Sequence, residues 1–386
     1  MLILGSTGSI GCSALEVVTS LRSDVRVVGL AAGRDGRKLA DQARRFDVPA
    51  VAIADDAAAD DLRAALPRET RVYAGSAGLV DLVRQTDADF VLAAIVGAAG
   101  LPATLAAVER GLDVGLANKE SLVVAGALLM PRAHERGGKL LPVDSEHSAI
   151  FQALQAGRRE DVAHIWLTAS GGPFRTWPRE RIERATVAEA LNHTTWSMGP
   201  KITIDSATMM NKALEIIEAH YLFEMEPDRI GVLIHPESIV HSMVEYRDGS
   251  TLAQLGSPDM KTPIQYALTY PRRIAGPAER LDWLTRRTLN FEPPDLERFP
   301  ALGLGYEAAR RGGTAGAVLN AANEAAVELF RAGEIPFGRV TDLAEQALRR
   351  HRWVERPTLT ELLTADAWAR EDVQESVRSS TACSKT

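Results

Sequence analysis

Up to about residue 146, short apolar runs alternate with segments whose apolar residues recur at three- and four-residue spacing. That alternation predicts a parallel sheet covered by helices. The runs are Leu2–Leu4, Val25–Leu30, Ala50–Ala54, Phe90–Val96, Asp113–Ala117 and Lys139–Val143, with amphipathic segments such as Ala14–Ser20 and Pro102–Arg110 between them. The expected fold class is α/β, opening with a doubly wound domain over residues 1–146. After Val143 the rhythm changes. Ile165–Thr168, Gly231–Ile234, Ile239–Tyr246 and Thr251–Leu255 read as strands and Ala207–Phe223 as one long helix, giving a central α+β domain over 147–281. Arg247-Asp248-Gly249-Ser250 carries the Asp-Gly signal of a hairpin. Pro293-Pro294 and Pro300 mark 282–300 as an extended linker. Periodicity around 302–311, 316–332, 339–351 and 358–377 predicts a C-terminal helical bundle over 301–378, with Thr358-x-x-Glu361 as a capping box. The polar stretch 379–386 reads as a frayed tail.

Composition narrows the class. At 386 residues, 46% hydrophobic and 25% charged, the chain supports sizeable cores, and disorder and fibres are excluded. Two cysteines, Cys12 and Cys383, provide neither a disulfide framework nor a thiolate metal cluster, which suits a reducing compartment. No run reaches the 18 or so apolar residues of a membrane span. The sequence starts directly in Met1-Leu2-Ile3-Leu4 with no basic leader, so the expectation is a cytoplasmic protein with no membrane partner. A net charge of −7 argues against a general nucleic-acid binder. It does not exclude small anionic ligands, for which a few donors suffice.

Gly5-Ser6-Thr7-Gly8-Ser9-Ile10-Gly11 follows the first apolar run and opens a helical one. Glycines there let the backbone approach a pyrophosphate seated at a helix N-terminus, as in Rossmann-like domains. The spacing is G-x-x-G-x-x-G, so the context carries the reading, and a plain tight turn is the alternative. After the second run come Gly33-Arg34-Asp35-Gly36-Arg37-Lys38. Arg34 favours the 2′-phosphate of NADP, whereas Asp35 suits either NAD or a helix N-cap.

Asn118-Lys119-Glu120-Ser121 and Asp144-Ser145-Glu146-His147 end two further runs, where ligands of parallel sheets collect. On an extended backbone Asp144 and Glu146 would point the same way, offering oxygen donors to a hard cation. In Asp205-Ser206-Ala207-Thr208-Met209-Met210-Asn211-Lys212-Ala213-Leu214-Glu215, a helix from Ala207 places Asn211 and Glu215 on one face and Ser206 near its start. This makes a phosphate cradle beside a carboxylate; the bland alternative is a Lys212–Glu215 pair over core methionines. Ser170-Gly171-Gly172 adds a hydroxyl and glycine amides. His193-Thr194-Thr195-Trp196-Ser197-Met198-Gly199-Pro200 reads as a loop able to cover a ligand, or as a structural one. His235 and His241 read as core histidines. Neither HExxH nor G-x-S-x-G occurs, so zinc hydrolysis and triad chemistry are unsupported.

Together GSTGSIG (5–11), ANKESL (117–122), PVDSEH (142–147), SGGPF (170–174), WSMG (196–199), DSATMMNKALE (205–215), HPESIVHSMV (235–244) and LNAANEAA (319–326) resemble the 1-deoxy-D-xylulose 5-phosphate reductoisomerase family. The resemblance implies NADPH- and divalent-metal-dependent rearrangement and reduction of 1-deoxy-D-xylulose 5-phosphate to 2-C-methyl-D-erythritol 4-phosphate, in the non-mevalonate route to isoprenoid precursors. It implies a homodimer with a mobile loop at 192–200 and a cation that is Mg2+, Mn2+ or Co2+. Carried over by motif, the metal falls to Asp144, Glu146 and Glu215. The sugar phosphate falls to Lys119, Ser145, Glu146, Ser170, His193, Ser206, Asn211, Lys212 and Glu215. NADPH falls to Thr7, Gly8, Ser9, Ile10, Gly33, Arg34, Asp35, Asn118, Glu120 and Gly199. The catalytic set is then Lys119, Asp144, Glu146, His193 and Glu215. Position 35 is commonly an amide in that family and is Asp here, and the stretch between Gln152 and His164 is shorter. A plain NADP-dependent dehydrogenase of a polyol phosphate and a silent nucleotide sensor are the competing readings.

Overall fold

In the computed structural model, residues 1–21, 24–196, 198–285 and 288–383 are described. They form two units: 1–121 with 129–148 and 259–280, and 122–128 with 149–258 and 281 onward.

The first unit is built on a seven-stranded parallel sheet. Its strands are β1 Leu2–Leu4, β2 Gly29–Ala32, β3 Ala50–Ile53, β4 Arg71–Ala74, β5 Phe90–Ala93, β6 Asp113–Leu116 and β7 Leu140–Pro142. They run in the order β4-β3-β2-β1-β5-β6-β7, so the chain reverses direction across the sheet at the β1–β5 boundary. Leu2, Ile3 and Leu4 have no solvent exposure, which is why the strand reads as a continuous apolar run rather than an alternating one. The helices of this unit include α1 Ser9–Ser20, α2 Gly36–Phe46, α3 Ala59–Ala65, α4 Gly75–Gln85, α5 Leu101–Glu109, the two ends of α6 Lys119–Arg136, whose stretch 122–128 belongs to the second unit, and the start of α7 Ser145–Ala153. Strand β4 is absent from the sequence reading. It is a four-residue sheet edge, largely half-exposed, so its periodicity carries no signal.

In the second unit, a four-stranded sheet runs β11-β10-β8-β9, with β8 Val162–Ala169, β9 Ile230–Ile234, β10 Val240–Tyr246 and β11 Thr251–Leu255. The β10–β11 hairpin turns at the expected place, with Gly249 at φ 87° and Ser250 N–H donating to Asp248 Oδ1. Helices α8 Arg179–Ile182, α9 Val187–Ala190, α10 Pro200–Ala207 and α11 Met210–Leu222 lie between β8 and β9. The long helix expected over Ala207–Phe223 is therefore two. Met209 takes a left-handed φ of 62°, and Thr208 Oγ1 accepts the Met210 N–H, so the first helix ends and the second begins inside Thr-Met-Met.

Two differences from the expected division have physical causes. α12 Lys261–Thr269 belongs to the first unit, not the central domain, through buried Ile264 and the Lys261–Glu16 and Arg272–Asp24 pairs. The helices α13 Ala301–Arg311, α14 Ala315–Arg331, α15 Gly338–Arg350 and α16 Leu359–Cys383 are not a separate body: one apolar core runs from Val123 through Ile165, Ile204 and Leu214 to Leu319 and Val373. The Thr358–Glu361 capping box is present at the head of α16. That helix continues through 379–383, so this part of the expected frayed tail is helical; residues 384–386 lie outside the described residues.

Candidate active site

In the first unit the β1–α1 turn is shaped by two glycines. Gly5 sits at φ 89° against the backbone of Ala94, and a Cβ on Gly11 would overlap the backbone of Gly5 and Ser6, so α1 packs close under the loop. Gly8 precedes α1 with no side chain capping the helix, and no acid stands in the first turn. The leading amides of α1, at Ser9 and Ile10, are thus suited to an anionic group. Lys38 Nζ donates to Thr7 O at 2.8 Å, tying the β2–α2 segment to this loop. Gly33, Arg34 and Asp35 are exposed there. Asp35 caps α2 by accepting Lys38 N–H at 2.9 Å, as one of the two sequence readings held. A Cβ on Gly33 would meet nothing within 4 Å, so the fold itself does not require glycine at that position.

Asn118 and Glu120 are buried at the β6–α6 turn and bonded to each other, with Asn118 Nδ2 donating to Glu120 Oε2 at 2.9 Å and to Gly97 O at 3.0 Å. Lys119 Nζ donates to Asp144 Oδ2 at 2.6 Å. Asp144 and Glu146 are not on extended backbone, contrary to expectation. Asp144 stands immediately before α7 and its Oδ1 accepts the Glu146 N–H at 3.1 Å, so the pair straddles a helix start. Ser145 Oγ donates to Glu146 Oε2. His147, quoted within its motif but given no role, is buried with Nδ1 3.3 Å from Asp144 Oδ1. The signal for it was the i,i+3 spacing from Asp144.

In the second unit, three segments converge on one imidazole. His193 Nε2 lies 3.1 Å from Ser170 Oγ, at the end of β8, and 3.1 Å from Ser206 Oγ, in α10. Its Nδ1 accepts the N–H groups of Thr195 at 3.1 Å and Trp196 at 2.9 Å. The proton of the neutral ring therefore sits on Nε2, facing the two hydroxyls. Burial pushes the His193 pKa below the usual histidine value. Gly172 N–H donates to Ser170 Oγ at 3.2 Å. On α11, Asn211 Nδ2 donates to Glu215 Oε1 at 2.6 Å, and Lys212 Nζ pairs with Glu215 Oε2. Met209 and Met210 are core residues, so both parts of the bland reading hold alongside the shared face of Asn211 and Glu215. A Cβ on Gly199 would meet nothing within 4 Å; Ser197, two positions before it, lies outside the described residues. His235 is satisfied on both nitrogens, by Asn290 O and by the amides of Ile239 and Val240, as a core histidine should be. His241 is buried with its ring centroid 6.3 Å from that of Trp196, a proximity nothing in the sequence announced.

A doubly wound sheet with an open glycine turn and oxygen donors at its carboxyl edge, together with an imidazole, two hydroxyls and a Lys-Glu-Asn face in the second unit, defines a dinucleotide-dependent oxidoreductase. Models of the 1-deoxy-D-xylulose 5-phosphate reductoisomerase family match residues 1–126, and its C-terminal domain models match 140–223 and 255–372. The reductoisomerase of Chloroherpeton thalassium is 52% identical over 372 residues, 96% of each chain, and that of Chlorobium phaeovibrioides is 52% identical over 371. A solved structure of the Zymomonas mobilis reductoisomerase in complex with NADPH superposes at a TM-score of 0.92, with 44% identity over 97% of this chain and 98% of that one. Another reductoisomerase, in complex with NADPH, fosmidomycin and magnesium, does so at 0.92 with 41% identity over 98% of both chains.

The chain belongs to the 1-deoxy-D-xylulose 5-phosphate reductoisomerase family. It is an NADP-dependent oxidoreductase that converts 1-deoxy-D-xylulose 5-phosphate to 2-C-methyl-D-erythritol 4-phosphate with NADPH and a divalent cation. No helix among the described residues is long and apolar enough to cross a membrane.

Proposed function

We propose that the residues assigned above divide the reaction as follows. His193 Nε2–H, the Ser170 and Ser206 hydroxyls, Asn211 and Lys212 seat the substrate phosphate, and the carboxylates of Asp144, Glu146 and Glu215 hold the cation. The observation that carries the reading is the convergence of Ser170, His193 and Ser206 at 3.1 Å, three donors from three chain segments with the imidazole tautomer already set. The donor chemistry fits both bound groups. The acidic set offers only carboxylate oxygens, which suit a hard cation, and the uncapped start of α1 suits a pyrophosphate. When bound, the cation supplies Lewis acidity to the substrate oxygens during the carbon–carbon rearrangement, and NADPH supplies the hydride.

The protein's own part is placement. Lys119 orients Asp144 from one side and His147 from the other, and the Ser145 hydroxyl orients Glu146. The phosphate, remote from the reacting carbons, provides binding energy that aligns the chain and draws the His193–Trp196 stretch over it. The open backbone at Gly33 and Gly199 and the Arg34 guanidinium face the nucleotide; with its carboxylate engaged at the α2 cap, Asp35 contributes through backbone alone. The same reading takes the enzyme to be a cytoplasmic homodimer. The exposed edge at Thr251, Leu252 and Ala253 of β11 supports this, and a solution mass of twice 41.7 kDa by light scattering checks it.

Glu215→Gln tests the cation assignment. It keeps the side chain's shape and its hydrogen bond from Lys212 while removing a charged ligand. Turnover should fall roughly a hundredfold or more with the circular dichroism spectrum unchanged. Wild-type turnover in that variant would overturn the assignment.

A further inference from the structure

The motif Leu319–Ala326 has no part in the chemistry above, yet its two asparagine side chains are fully buried. On α14, Asn323 Nδ2 donates to Asp205 Oδ1 at 2.8 Å and Asn320 Nδ2 donates to Glu324 Oε1 at 3.2 Å. Among the described residues, the Oδ1 atoms of both amides lack a hydrogen-bond partner. A buried amide with an unmatched oxygen costs free energy that a leucine would avoid, so its donor half must supply something specific. Asp205, 1% exposed, stands in the last turn of α10, the end where the helix dipole disfavours a carboxylate. Its i,i+4 partner Lys201, at 3.0 Å, precedes it, which is the weaker order for such a pair. Neither feature favours the helix for its own sake. The carboxylate is kept by Lys201 and Asn323 acting together, and Glu324 behind them is gripped by Arg370 of α16, which also binds Asp366.

What α10 carries explains the arrangement. Ser206 adjoins Asp205 and faces His193, and Gly172 lies so close to the Ser206 carbonyl that no Cβ would fit between them. At the other end, Gly199-Pro200 joins the helix to the His193–Trp196 stretch one residue before Lys201. An eight-residue helix has little stability alone, so neighbours must fix its place. We propose that Asn323 and Asp205 form a positioning clamp that fixes α10, and through it both Ser206 and the base of the covering loop; neither residue touches substrate. The proposal rests on the reading of Ser170, His193 and Ser206 as the phosphate seat.

Full-length Asn323→Leu, which removes the donor, and Asn323→Asp, which sets a second carboxylate against Asp205, test it. Losing one bond to a charged group should raise the KM for the sugar phosphate about tenfold and leave that for NADPH unchanged. Amide exchange at Thr195 and Trp196, measured without substrate, should accelerate about as much. Combining Asp205→Asn with Asn323→Asp restores an amide-to-carboxylate bond in the reverse sense and should recover most of both effects. A lowered melting temperature with the substrate KM and loop exchange both unchanged would reduce the clamp to ordinary core packing and overturn the proposal. Should both Asn323 variants fail to fold, Arg370→Gln, on the far side of Glu324, carries the same measurements with a smaller expected change. The exchange arm needs no turnover: inactivity of the wild-type enzyme counts against the phosphate-seat reading, while exchange alone decides the clamp.

Discussion

His193 shows how one side chain can couple chemistry to chain order. Its Nδ1 holds the amides of Thr195 and Trp196, so a proton added there would meet two N–H groups and break the turn. Burial lowers the pKa of the ordered form, hence the neutral ring belongs to the ordered loop and the cation to the opened one. The sign follows: order is complete above the ordinary histidine value of about 6.5 and is lost as pH falls through it toward the lowered value. Protection of the Thr195 and Trp196 amides, corrected for intrinsic exchange, should fall with pH over that range. In His193→Asn, whose amide oxygen accepts the same bonds without titrating, it should stay flat. A wild-type profile as flat as the variant's would show that the imidazole does not govern the loop. Much at this scale was legible in the sequence, because short spacing fixes local geometry: Asn211 and Glu215 had to share a helix face, and Asp35 had the chemistry of a cap. The Asp205–Asn323 bond was not legible. It joins residues 118 positions apart, and no local pattern reports such a contact.

At the scale of elements, the β1–α1 turn depends on close approach. Replacing Gly11 by Ala places a Cβ into the Gly5 and Ser6 backbone, which cannot swing aside as a side chain would. The expected cost is about 1–3 kcal/mol of stability, with a raised KM for NADPH as α1 is pushed off the loop. A melting curve and NADPH titration matching wild type would mean that the turn has slack. Strands β1 and β11 stand where the apolar pattern put them, since full burial or clean hairpin flanks leave strong signals. The break at Met209 left none. Thr208 makes it by turning its hydroxyl to cap α11, while the flanking methionines are buried as they would be in an unbroken helix. Edge strand β4 was missed for the opposite reason, too little burial to impose a period.

For the whole molecule, the proposed site lets an acidic chain of net charge −7 take two phosphorylated ligands through locally placed charge, with Lys38 bonded to the glycine turn and Lys212 on α11. The pattern foresaw a sheet domain, a mixed domain and a helical bundle. Burial merged the last two, because α14 and α16 complete the apolar core of the second sheet's unit. Periodicity reveals which face of a helix is apolar and says nothing about which sheet or helix will cover it. The chain rearranges and reduces a sugar phosphate with the help of a divalent cation, which the proposed site holds through oxygen ligands. The most direct test is NADPH oxidation by the purified enzyme with 1-deoxy-D-xylulose 5-phosphate, with and without chelator, followed by analysis of the carbon skeleton of the product. The expected result is oxidation abolished by chelator, restored by excess magnesium or manganese, and yielding a branched product. Chelator-resistant oxidation, or an unbranched polyol phosphate as product, would contradict it.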